Sequence, residues 1–554
     1  MEKHPDLLKT LLNKRGIFDQ EKIDIFLNPD YERDLSDPFL MKDMEKACVR
    51  LFEAIDAGEK IMIYADYDSD GIPGAVILSD LLQKINYSNF DIYIPQRNSE
   101  GYGLNLEAVK EFAKKNVKLL ITVDLGITAV EEIAQAKVLG IDTIITDHHI
   151  PLEILPCAYA TLNPKTDNYP EKMLCGAGVV FKFLQGFIKK YGEFYKIHDG
   201  WEKWALDLAG LATLSDRVPL AGENRAIAHF GLKVFRKSPR VGLQKLMAKM
   251  NLNQKYISED DISFMITPKL NAASRMDDPR KAFLLLATKD EVEAGVLADY
   301  LSKINDERKL IVAGIMREVK KKFEKREMQE VVVIGNPAWR VGVLGLVAGK
   351  ISDEYDRPVF VWGKDENDCI KGSCRSNGSV SVVELMKEVS DHFIEFGGHE
   401  LAGGFTVVDE KVHFLEESLS VSFNKIKYVS REEAQEKNDI EGNLELVNMK
   451  NWREIEKLAP FGLGNSKPVF LFKSVKIEKI KKFGKNGSGE HLEITFRDTN
   501  GNKATAISFF SNSSSFQTKI EEELSVDLYA TFDLSRFRGH EELRLRIVEI
   551  SSTI

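Results

Sequence analysis

Four short apolar runs alternate with helix-like segments between about residues 46 and 232. The runs are rich in β-branched residues and read KIMIYAD (60–66), FDIYIP (90–95), KLLITVD (118–124) and DTIITD (142–147). Amphipathic segments such as 106–116 and 129–140 separate them. Strands alternating with helices in this way predict an α/β fold, a doubly wound parallel sheet with helices on both faces.

Acidic residues cluster where the first of these strands ends. The motif Asp66-Tyr67-Asp68-Ser69-Asp70-Gly71 follows it directly. Residues two apart in an extended chain project to the same face, so we expect three carboxylates to converge there. Their mutual repulsion must be balanced by cations or protons. Gly71 permits a sharp turn, and Pro73 suits the first position of the helix that follows.

Later strand ends add further candidate ligands at the same edge, where open α/β sheets place their ligands. These candidates are Asp124 in ITVDLG, Asp147, His148 and His149 in ITDHH, and Asp216 in LATLSDRVPL. Such an oxygen-rich set favours Mn²⁺ or Mg²⁺ over zinc. Two ions about 3.5–4 Å apart would suit phosphate-ester hydrolysis, one activating water and the other stabilising the leaving oxygen.

Each piece of this pattern has a simpler explanation when it stands alone. A single DxD is typical of a turn, and a His-His pair is commonly a chance feature of a surface or core. Asp124 could cap the next helix, and Asp216 could be a loop residue. Recurrence in four separate segments at one sheet edge favours a functional site.

The composition limits the class of protein. The chain has 554 residues, which predicts three or four domains at roughly 100–200 residues each. Its 86 acidic and 76 basic residues exclude a globally basic nucleic-acid coat but leave room for a basic cleft. Five cysteines without a CxxC pair fit a reducing compartment and argue against both a disulfide framework and a zinc ribbon.

The sequence has neither the pattern of a signal peptide nor that of a membrane span. The first residues, MEKHPDLLKTLLNKRG, mix charges of both signs and contain no uninterrupted apolar stretch, unlike a signal peptide. No apolar run approaches the roughly 20 residues of a membrane span. We therefore expect a soluble, cytoplasmic protein.

Changes of pattern divide the chain into six regions. These are an N-terminal helical extension (1–45), the doubly wound domain (46–232), a helical region with a long connecting helix (233–328), a second α/β domain (329–430), an acidic linker (431–466) and a C-terminal domain (467–554). Thr288 and Glu291 form a capping-box pattern that starts the long helix. Five β runs separated by turn residues predict that the last region is an antiparallel barrel of the oligonucleotide-binding (OB) type.

An ordered set of motifs resembles the DHH phosphoesterase superfamily and, within it, the RecJ family of 5′→3′ single-stranded-DNA exonucleases. The motifs extend over nearly the whole chain and include IYADYDSDGIPGAVIL, IPQRNSEGYGL, TDHH, LSDRVPL, PKLNAASRM, KGSCRSNG, FGGHELAGGF and LAPFGLGNSKPVF. The tripeptide DHH alone has low specificity, whereas the ordered set is very specific. The resemblance implies a DHH-type catalytic domain and a smaller DHHA1-type domain joined by the long helix, followed by an OB-fold domain.

The resemblance also implies a role for each residue of the acidic cluster. It implies two Mn²⁺ or Mg²⁺ ions with the ligands Asp68, Asp70, Asp124, His148 and Asp216, Asp124 bridging both ions. Asp66 and His149 would complete the catalytic site. Asp147 would orient the histidines.

Further residues would bind the nucleic-acid substrate. The resemblance implies that Gly397, Gly398 and His399 close over the scissile phosphate, that Arg97, Ser373 and Arg375 bind the 5′-terminal phosphate, and that Asn271 and Arg275 contact the backbone. Guanidinium groups bind phosphate bidentately, which makes these assignments chemically sensible. Tyr102 would stack on a base. Taken singly, the simpler explanations are a glycine turn, surface ion pairs and a packed tyrosine.

Three positions depart from the family's usual motifs. Ala65 stands where glycine is common, Pro73 lies near a usual threonine, and Arg340 replaces a common histidine. None of them removes an expected metal ligand, but they could alter the turn after the strand and the substrate channel.

The implied activity is degradation of single-stranded DNA from its 5′ end to 5′-mononucleotides, in recombination and repair. The channel between the two α/β domains would exclude a duplex, and the barrel would bind downstream single strand. Its most basic stretch contains Lys479, Lys481, Lys482 and Lys485. The alternatives are a phosphodiesterase of short oligoribonucleotides or cyclic dinucleotides and a non-catalytic single-strand-binding replisome scaffold. A monomer is expected, with a single-strand-binding protein and a helicase as partners.

Overall fold

A computed structural model describes residues 6–97, 99–324, 326–426, 438–484, 491–509, 516, 518–536 and 540–553. The chain forms two compact units. One unit contains residues 1–34, 219–221 and 434–554, and the other contains 35–218 and 222–433. Among the described residues, no helix is both long enough and apolar enough to cross a membrane.

The first sheet is parallel throughout and has the strand order β2-β1-β3-β4-β5. Its strands are β1 (Lys60–Ala65), β2 (Phe90–Tyr93), β3 (Val117–Val123), β4 (Asp142–Thr146) and β5 (Ala160–Leu162). The four expected strands are therefore present, and the short β5 was not anticipated. In this doubly wound order the chain reverses direction across the sheet between β1 and β3, so a crevice opens at their carboxyl ends.

Helices cover both faces of this sheet. The helices of this part of the chain are α4 (Met44–Asp56), α5 (Gly71–Lys84), α6 (Leu106–Lys114), α7 (Val130–Val138), α8 (Gly176–Tyr191) and α9 (Leu206–Ser215). They follow the N-terminal α1 (Leu7–Lys14), α2 (Gln20–Leu27) and α3 (Tyr31–Asp34). Helices α6 and α7 pack on the face that contains Tyr64. Helices α5 and α8 pack on the opposite face. A Cβ on Gly74 of α5 would lie 2.6 Å from Val123 of β3 and 3.3 Å from Val180 of α8, so the three elements are in close contact there.

Pro73 is the third residue of α5 and not the first, as the sequence suggested. The helix begins two residues earlier, at Gly71. Proline is tolerated at this position because the N–H groups of a first helical turn have no partner within the helix.

A helical region connects the two α/β domains. It contains α10 (Gly222–Phe235), α11 (Val241–Lys249), a π-helix (Asp261–Ile266), α12 (Thr267–Met276), α13 (Arg280–Ala287) and α14 (Glu291–Phe323). Helix α14 is the expected long helix, 33 residues in length. Its N-cap is Asp290, which accepts a hydrogen bond from the Glu293 N–H, and not the expected Thr288.

The second sheet has the order β6-β7-β8-β10-β9. Its strands are β6 (Val332–Gly335), β7 (Val359–Lys364), β8 (Ile370–Arg375), β9 (Phe393–His399) and β10 (Ala402–Val407), with α15 (Leu344–Tyr355), α16 (Val382–Glu388) and α17 (Leu415–Phe423). Only β6 and β7 pair in parallel among these neighbours. The expected second α/β unit is thus a mixed sheet with helices.

The C-terminal region forms a closed five-stranded barrel, as predicted, but the barrel is not wholly antiparallel, because one of its strand pairs is parallel. The order β12-β13-β14-β16-β15 closes through pairing of β12 with β15. The elements are β11 (Ile440–Gly442), α18 (Met449–Glu456), β12 (Phe470–Phe483), β13 (His491–Arg497), β14 (Lys503–Phe509), β15 (Ser525–Ser535) and β16 (Glu542–Ser552).

The segment expected to be a linker is partly structured. It contains β11 and α18, and Leu444, Ile455 and Leu458 share the core of the barrel. Of the basic stretch in this domain, Lys485 lies outside the described residues. The domain boundaries given by the sequence stay predictions.

Packing of α9 against α10 generates a prediction about stability. A Cβ on Gly210 would lie 2.6 Å from the Cα of Gly231, so the two helices meet backbone to backbone. We expect Gly210→Ala to destabilise the fold by about 1–3 kcal/mol through overpacking. Gly295→Ala is the matched control, because nothing lies within 4 Å of that position in α14. The control should stabilise by about 0.5–1 kcal/mol. Urea unfolding followed by tryptophan fluorescence measures both, and equal shifts for the two variants would contradict the packing argument.

Candidate active site

The first acidic motif forms a tight loop where β1 ends. Asp66 and Asp70 are buried, with 4% and 2% exposure, whereas Asp68 is partly exposed. Asp68 Oδ1 accepts hydrogen bonds from the Asp70 and Gly71 N–H groups, at 2.8 and 3.2 Å. This loop therefore brings three carboxylates to the crevice between β1 and β3.

Asp124 enters the crevice directly after β3. Its backbone has φ +62°, the left-handed region that few residues other than glycine adopt, though aspartate and asparagine do so more readily. The Asp124 N–H continues the sheet by donating to the Thr146 carbonyl at 2.8 Å. Such strain persists where the surrounding structure imposes it, and it is concentrated at functional sites.

The N-terminus of α8 holds Asp70. The N–H groups of Gly176 and Ala177 donate to the two carboxylate oxygens at 2.6 and 2.7 Å. A Cβ on Gly176 would lie 2.5 Å from Asp124 Oδ1, so only glycine fits there. The sequence reasoning missed these two residues, for which the glycines of CGAG (175–178) are the available signal. The helix dipole adds stabilisation of the negative charge.

The two histidines follow β4 and contact different side chains. His148 Nε2 is 3.2 Å from Asp124 Oδ1, 3.7 Å from Asp70 Oδ2 and 3.8 Å from Asp216 Oδ2. Asp216 is the C-cap of α9 and is thereby brought to the same place. His148 is thus surrounded by three of the expected carboxylates.

Asp147 contacts its neighbour His149 and the backbone of Ile127. Its Oδ1 lies 2.7 Å from His149 Nδ1, and its Oδ2 accepts from the Ile127 N–H at 2.9 Å. Burial alone would raise the pKa of Asp147, but the hydrogen bond and charge of His149 lower it. The same contact raises the pKa of His149 against the opposing effect of burial.

The backbone carbonyls of both histidines accept hydrogen bonds from nearby side chains. Lys165 Nζ donates to the His148 carbonyl, and Asn163 Nδ2 donates to the His149 carbonyl at 3.0 Å. Neither residue was singled out from the sequence, because a lysine and an asparagine in a loop give no recognisable motif.

The electrostatics of the cluster are those of carboxylates that lack counter-charge. Burial and the other acids raise the pKa of Asp70 to about 7 and that of Asp216 to about 8. The same causes raise the pKa values of Asp66 and Asp124 well above the usual range. Burial lowers the pKa of His148 to about 3, which keeps its imidazole neutral.

The donor set fits divalent cations. Three groups have ligand atoms within 4.8 Å of one another, and they are Asp66, Asp68 and Asp124; Asp70, His148 and Asp216; and Asp124, His148 and His149. Buried Oδ1 atoms of Asp66 and Asp124 have no hydrogen-bond donor. Unpartnered buried oxygens beside a neutral imidazole are suited to Mn²⁺ or Mg²⁺. Asp124 and His148 each belong to two of the groups, so the three groups adjoin one another.

Positive side chains gather beside this cluster. Arg97 lies over the Tyr67 ring at 5.0 Å, and Asn271 Nδ2 donates to Ser69 Oγ at 3.1 Å. Burial and the charges of Arg97, Arg308 and Arg375 lower the pKa of Arg275 to about 9. Arg275 is therefore near enough to three other guanidinium groups to be repelled by them.

Ser373 and Arg375 reach this region from β8. They are two residues apart on one strand and so share a face. A Cβ on Gly345, in the first turn of α15, would lie 3.0 Å from Arg375 Nη2 and 3.5 Å from Ser373 Oγ. Burial and nearby Arg97 lower the pKa of Arg375, so the two arginines from different domains are neighbours.

The glycine-histidine motif lies on the hairpin of β9 and β10. The His399 ring lies nearly parallel to that of His149, with centroids 6.2 Å apart. Gly397 pairs with Gly404, and Gly398 pairs with Gly403. The AGG stretch (402–404) thus supplies the strand partners of the GGH motif, and together they form a hairpin surface almost without side chains.

Tyr102 contacts His149 as well as solvent. Its hydroxyl is 3.3 Å from His149 Nδ1, and the residue is 54% exposed. A packed core position is therefore excluded. Arg340, which departs from the usual motif, donates to the Met276 carbonyl at the end of α12.

Comparison with known proteins follows the same division of the chain. The model of the DHH family N-terminal domain matches residues 60–213, that of the DHHA1 domain matches 328–422, and that of the RecJ OB domain matches 438–549. The expected domain types are therefore confirmed.

Relatives match over most of the chain. The single-stranded-DNA-specific exonuclease RecJ of Bacillus subtilis is 36% identical over 89% of this chain, which spans 61% of that protein. The RecJ of Haemophilus influenzae is 30% identical over 98% of this chain and 96% of its own length. The crystal structure of Thermus thermophilus RecJ in complex with Mn²⁺ superposes with a TM-score of 0.81 at 26% identity, covering 99% of this chain and 76% of that one.

This chain spans less than two thirds of the Bacillus protein but nearly all of the Haemophilus protein. The full-length match, the three domain types in the same order and the shared fold lead to one assignment. The chain belongs to the RecJ family of DHH-type proteins.

Proposed function

We propose that this protein is a metal-dependent exonuclease that degrades single-stranded DNA from its 5′ end to 5′-mononucleotides. The observation that supports this most directly is the set of three adjoining groups of candidate ligands, two of which share Asp124 and two of which share His148, placed beside a cluster of arginines. Carboxylates and His148 would hold two Mn²⁺ or Mg²⁺ ions, and the arginines would hold the negatively charged strand. The expected metal ligands Asp68, Asp70, Asp124, His148 and Asp216 remain part of this proposal.

When bound, the two cations would supply Lewis-acid chemistry that activates water and stabilises a leaving oxygen. The chain's own groups would prepare the site. Asp147 keeps a proton on His149 Nδ1, which leaves Nε2 as the ring atom able to exchange a proton. The hydroxyl of Tyr102 lies beside the His149 ring. The exposed part of the Tyr102 ring is available to stack on a base of the substrate.

Substrate binding would use both domains. Arg97, Ser373 and Arg375 would bind the 5′-terminal phosphate, and Asn271 and Arg275 would contact the next part of the backbone. The hairpin surface formed by Gly397, Gly398 and their partners would let the strand approach His399 closely. Binding at a terminal phosphate would give an exonuclease and not an endonuclease.

Two other functions are less well supported. A phosphodiesterase of short oligoribonucleotides or cyclic dinucleotides would have no use for a RecJ-type OB barrel. A non-catalytic scaffold would not need a complete carboxylate cluster, and every expected acid is here brought to the crevice.

The compartment, the oligomeric state and the protein partners are also proposals. We propose a cytoplasmic monomer that works with a single-strand-binding protein and a helicase. Relatives named as single-stranded-DNA-specific exonucleases support this setting, because their substrate is the strand that such partners would supply or cover.

A product time course tests the proposed activity. Oligonucleotides labelled at either end, single-stranded or annealed, are incubated with Mn²⁺, Mg²⁺ or chelator. We expect metal-dependent release of mononucleotides from the 5′ end of single strands alone. Asp124→Asn should lose at least about a hundred-fold in rate, because asparagine keeps the left-handed backbone but not the charge. Asp91→Asn, at an exposed aspartate of β2 paired with Lys60, is the control. Retention of intact DNA by wild-type protein would favour the scaffold.

The pH dependence of metal binding follows from the raised pKa values. Protons compete with cations for Asp70 and Asp216, whose pKa values are about 7 and 8. Below those values the carboxyls are protonated, so Mn²⁺ affinity should fall about ten-fold or more from about pH 8 to about pH 6. Calorimetry in buffers of different ionisation enthalpy should also show proton release on binding. Equal affinity and no proton release across this range would contradict the electrostatic description.

The 5′-phosphate site generates a further prediction. Arg375→Ala should lower kcat/KM on 5′-phosphorylated DNA by about ten- to a hundred-fold, the value of a charge-assisted hydrogen bond. Activity on a 5′-hydroxyl strand should change little, so the preference for phosphate should vanish. Lys371→Ala is the matched control, because Lys371 lies on the same strand but pairs with Asp365. A uniform loss on both substrates would show that Arg375 does not read the terminal phosphate.

A further inference from the structure

A cavity of about 630 Å³ lies between the C-terminal half of α5, the start of α11 and the end of α13. All the residues that line it belong to the same compact unit. Helix α5 has 14 residues, so its last residue, Lys84, is roughly 20 Å from the acidic loop at its start. None of the described residues that line the cavity belongs to the carboxylate or arginine clusters. The cavity is therefore a separate feature, with a volume typical of small-molecule sites.

Two tryptophans form one wall of this cavity. Trp201 and Trp204 belong to a 3-10 helix, Trp201–Ala205, and both line the cavity. A 3-10 helix has three residues per turn, so side chains three residues apart lie one above the other. Trp204 is 50% exposed, although tryptophan side chains are usually well buried. Two indole rings on one side of an open cavity suit a flat aromatic ligand.

A buried carboxylate oxygen in the cavity has no hydrogen-bond donor. Asp207 lines the cavity and is 1% exposed. Its Oδ2 accepts hydrogen bonds from Ser238 Oγ at 2.6 Å and Arg240 Nε at 2.9 Å, and Arg240 Nη2 also donates to Asp80 Oδ2 at 2.6 Å. Asp207 Oδ1 is buried without a partner. Since buried polar atoms are normally paired, this oxygen suits a ligand that brings a donor.

Positive charge remains at the edge of the cavity. Both of its acids already contact Arg240, whereas Lys84 and Lys289 form no ion pair with a described residue. Lys289 Nζ donates to the neutral Gln83 Oε1 at 3.1 Å, and Lys84 Nζ lies 6.0 Å from the centre of the Trp201 ring. These two lysines can therefore attract an anionic group.

The start of α11 adds backbone donors at the same place. Arg240 is the N-cap of this nine-residue helix and makes no side-chain capping hydrogen bond. Val241, the first residue of the helix, lines the cavity. The N–H groups of a first helical turn have no acceptor within the helix, and the helix dipole favours an anion there.

We propose that this cavity binds a free purine nucleotide. The base would stack on the two tryptophans, an amino group of the base would donate to Asp207 Oδ1, and the phosphate would lie at Lys84, Lys289 and the start of α11. The nucleotide has two chemically equivalent sources, a mononucleotide released by DNA degradation or a free nucleoside diphosphate. Both carry a purine base and a 5′-phosphate.

Other classes of ligand fit the cavity less well. A purely apolar molecule would leave Asp207 Oδ1 without a donor. A peptide that ends in an aromatic residue would bring a carboxylate acceptor but no donor on its ring. A cationic ligand would satisfy Asp207 but would be repelled by Lys84 and Lys289. A nucleotide combines the aromatic ring, the donor and the anion in one molecule.

Calorimetric titration of the full chain in the presence of chelator tests the proposal. The probes are dAMP, ADP and adenosine. We expect dAMP or ADP to bind with a Kd below about 1 mM. Adenosine should bind at least about ten-fold more weakly, because it lacks the charge-assisted contacts of the phosphate. The tighter of the two nucleotides identifies the source. Absence of binding by both nucleotides, or equally tight binding of adenosine, would overturn the proposal.

Variants at exposed positions locate the binding. Trp204→Ala should weaken both nucleotides and adenosine by about ten-fold through loss of stacking. Lys289→Ala should weaken the nucleotides by about ten-fold but adenosine by less than about two-fold. The matched controls are Phe414→Ala, at a phenylalanine that is 61% exposed, and Lys137→Ala, at an exposed lysine of α7. Unchanged urea unfolding of all four variants excludes a general effect on the fold.

The 5′-phosphate site of the proposed exonuclease is the competing location. Arg375→Ala should therefore leave nucleotide affinity unchanged. Loss of affinity in that variant, with wild-type affinity in the Trp204 and Lys289 variants, would place the nucleotide in the active site and overturn the inference. The two proposals also fail separately, because the titration needs no metal and no DNA cleavage. A protein that binds nucleotide through Trp204 and Lys289 but degrades no DNA would keep this site and lose the proposed function.

Discussion

Mutual repulsion among carboxylates in the crevice between β1 and β3 is the constraint on which the rest of the first domain depends. Five aspartates belong to the groups around Asp124 and His148, and burial raises the pKa of most of them. The N-terminus of α8 offsets part of this cost by donating two N–H groups to Asp70. The close contact of Gly176 with Asp124 shows how little room the arrangement leaves. The domain gives up folding stability to form a site that favours bound cations.

The sequence predicted the strands well because three of the four apolar runs end sharply in aspartate, and the position of each acid followed from the parallel topology. The contact of α8 with Asp70 was not predicted, because it joins residues more than a hundred positions apart and the glycines of CGAG (175–178) do not by themselves identify Asp70 as the partner. The short strand β5 has only three residues, too few for a recognisable pattern. The N-cap of α14 was misplaced by two residues because both Thr288 and Asp290 are good capping residues.

The second domain shows a different limit of sequence reasoning. The motifs named Ser373, Arg375 and His399, but only the fold shows that these residues approach Arg97 and His149 from the opposite side. Arg308 was not noticed at all, because a single arginine in a charged helix is indistinguishable from a solvated one. The folded chain brings it close enough to Arg275 for its charge to lower the pKa of that arginine.

Helix α14 runs for 33 residues without a break, roughly 50 Å at the usual rise. His149, which precedes this helix in the chain, and His399, which follows it, lie next to each other. The helix is therefore the rigid connection that fixes the distance between the two domains. Bending a continuous helix is costly, whereas the turns at its two ends are not helical. Any opening of the cleft to admit or release a strand must therefore be concentrated at those ends, near Asp290 and beyond Phe323, far from the chemistry itself.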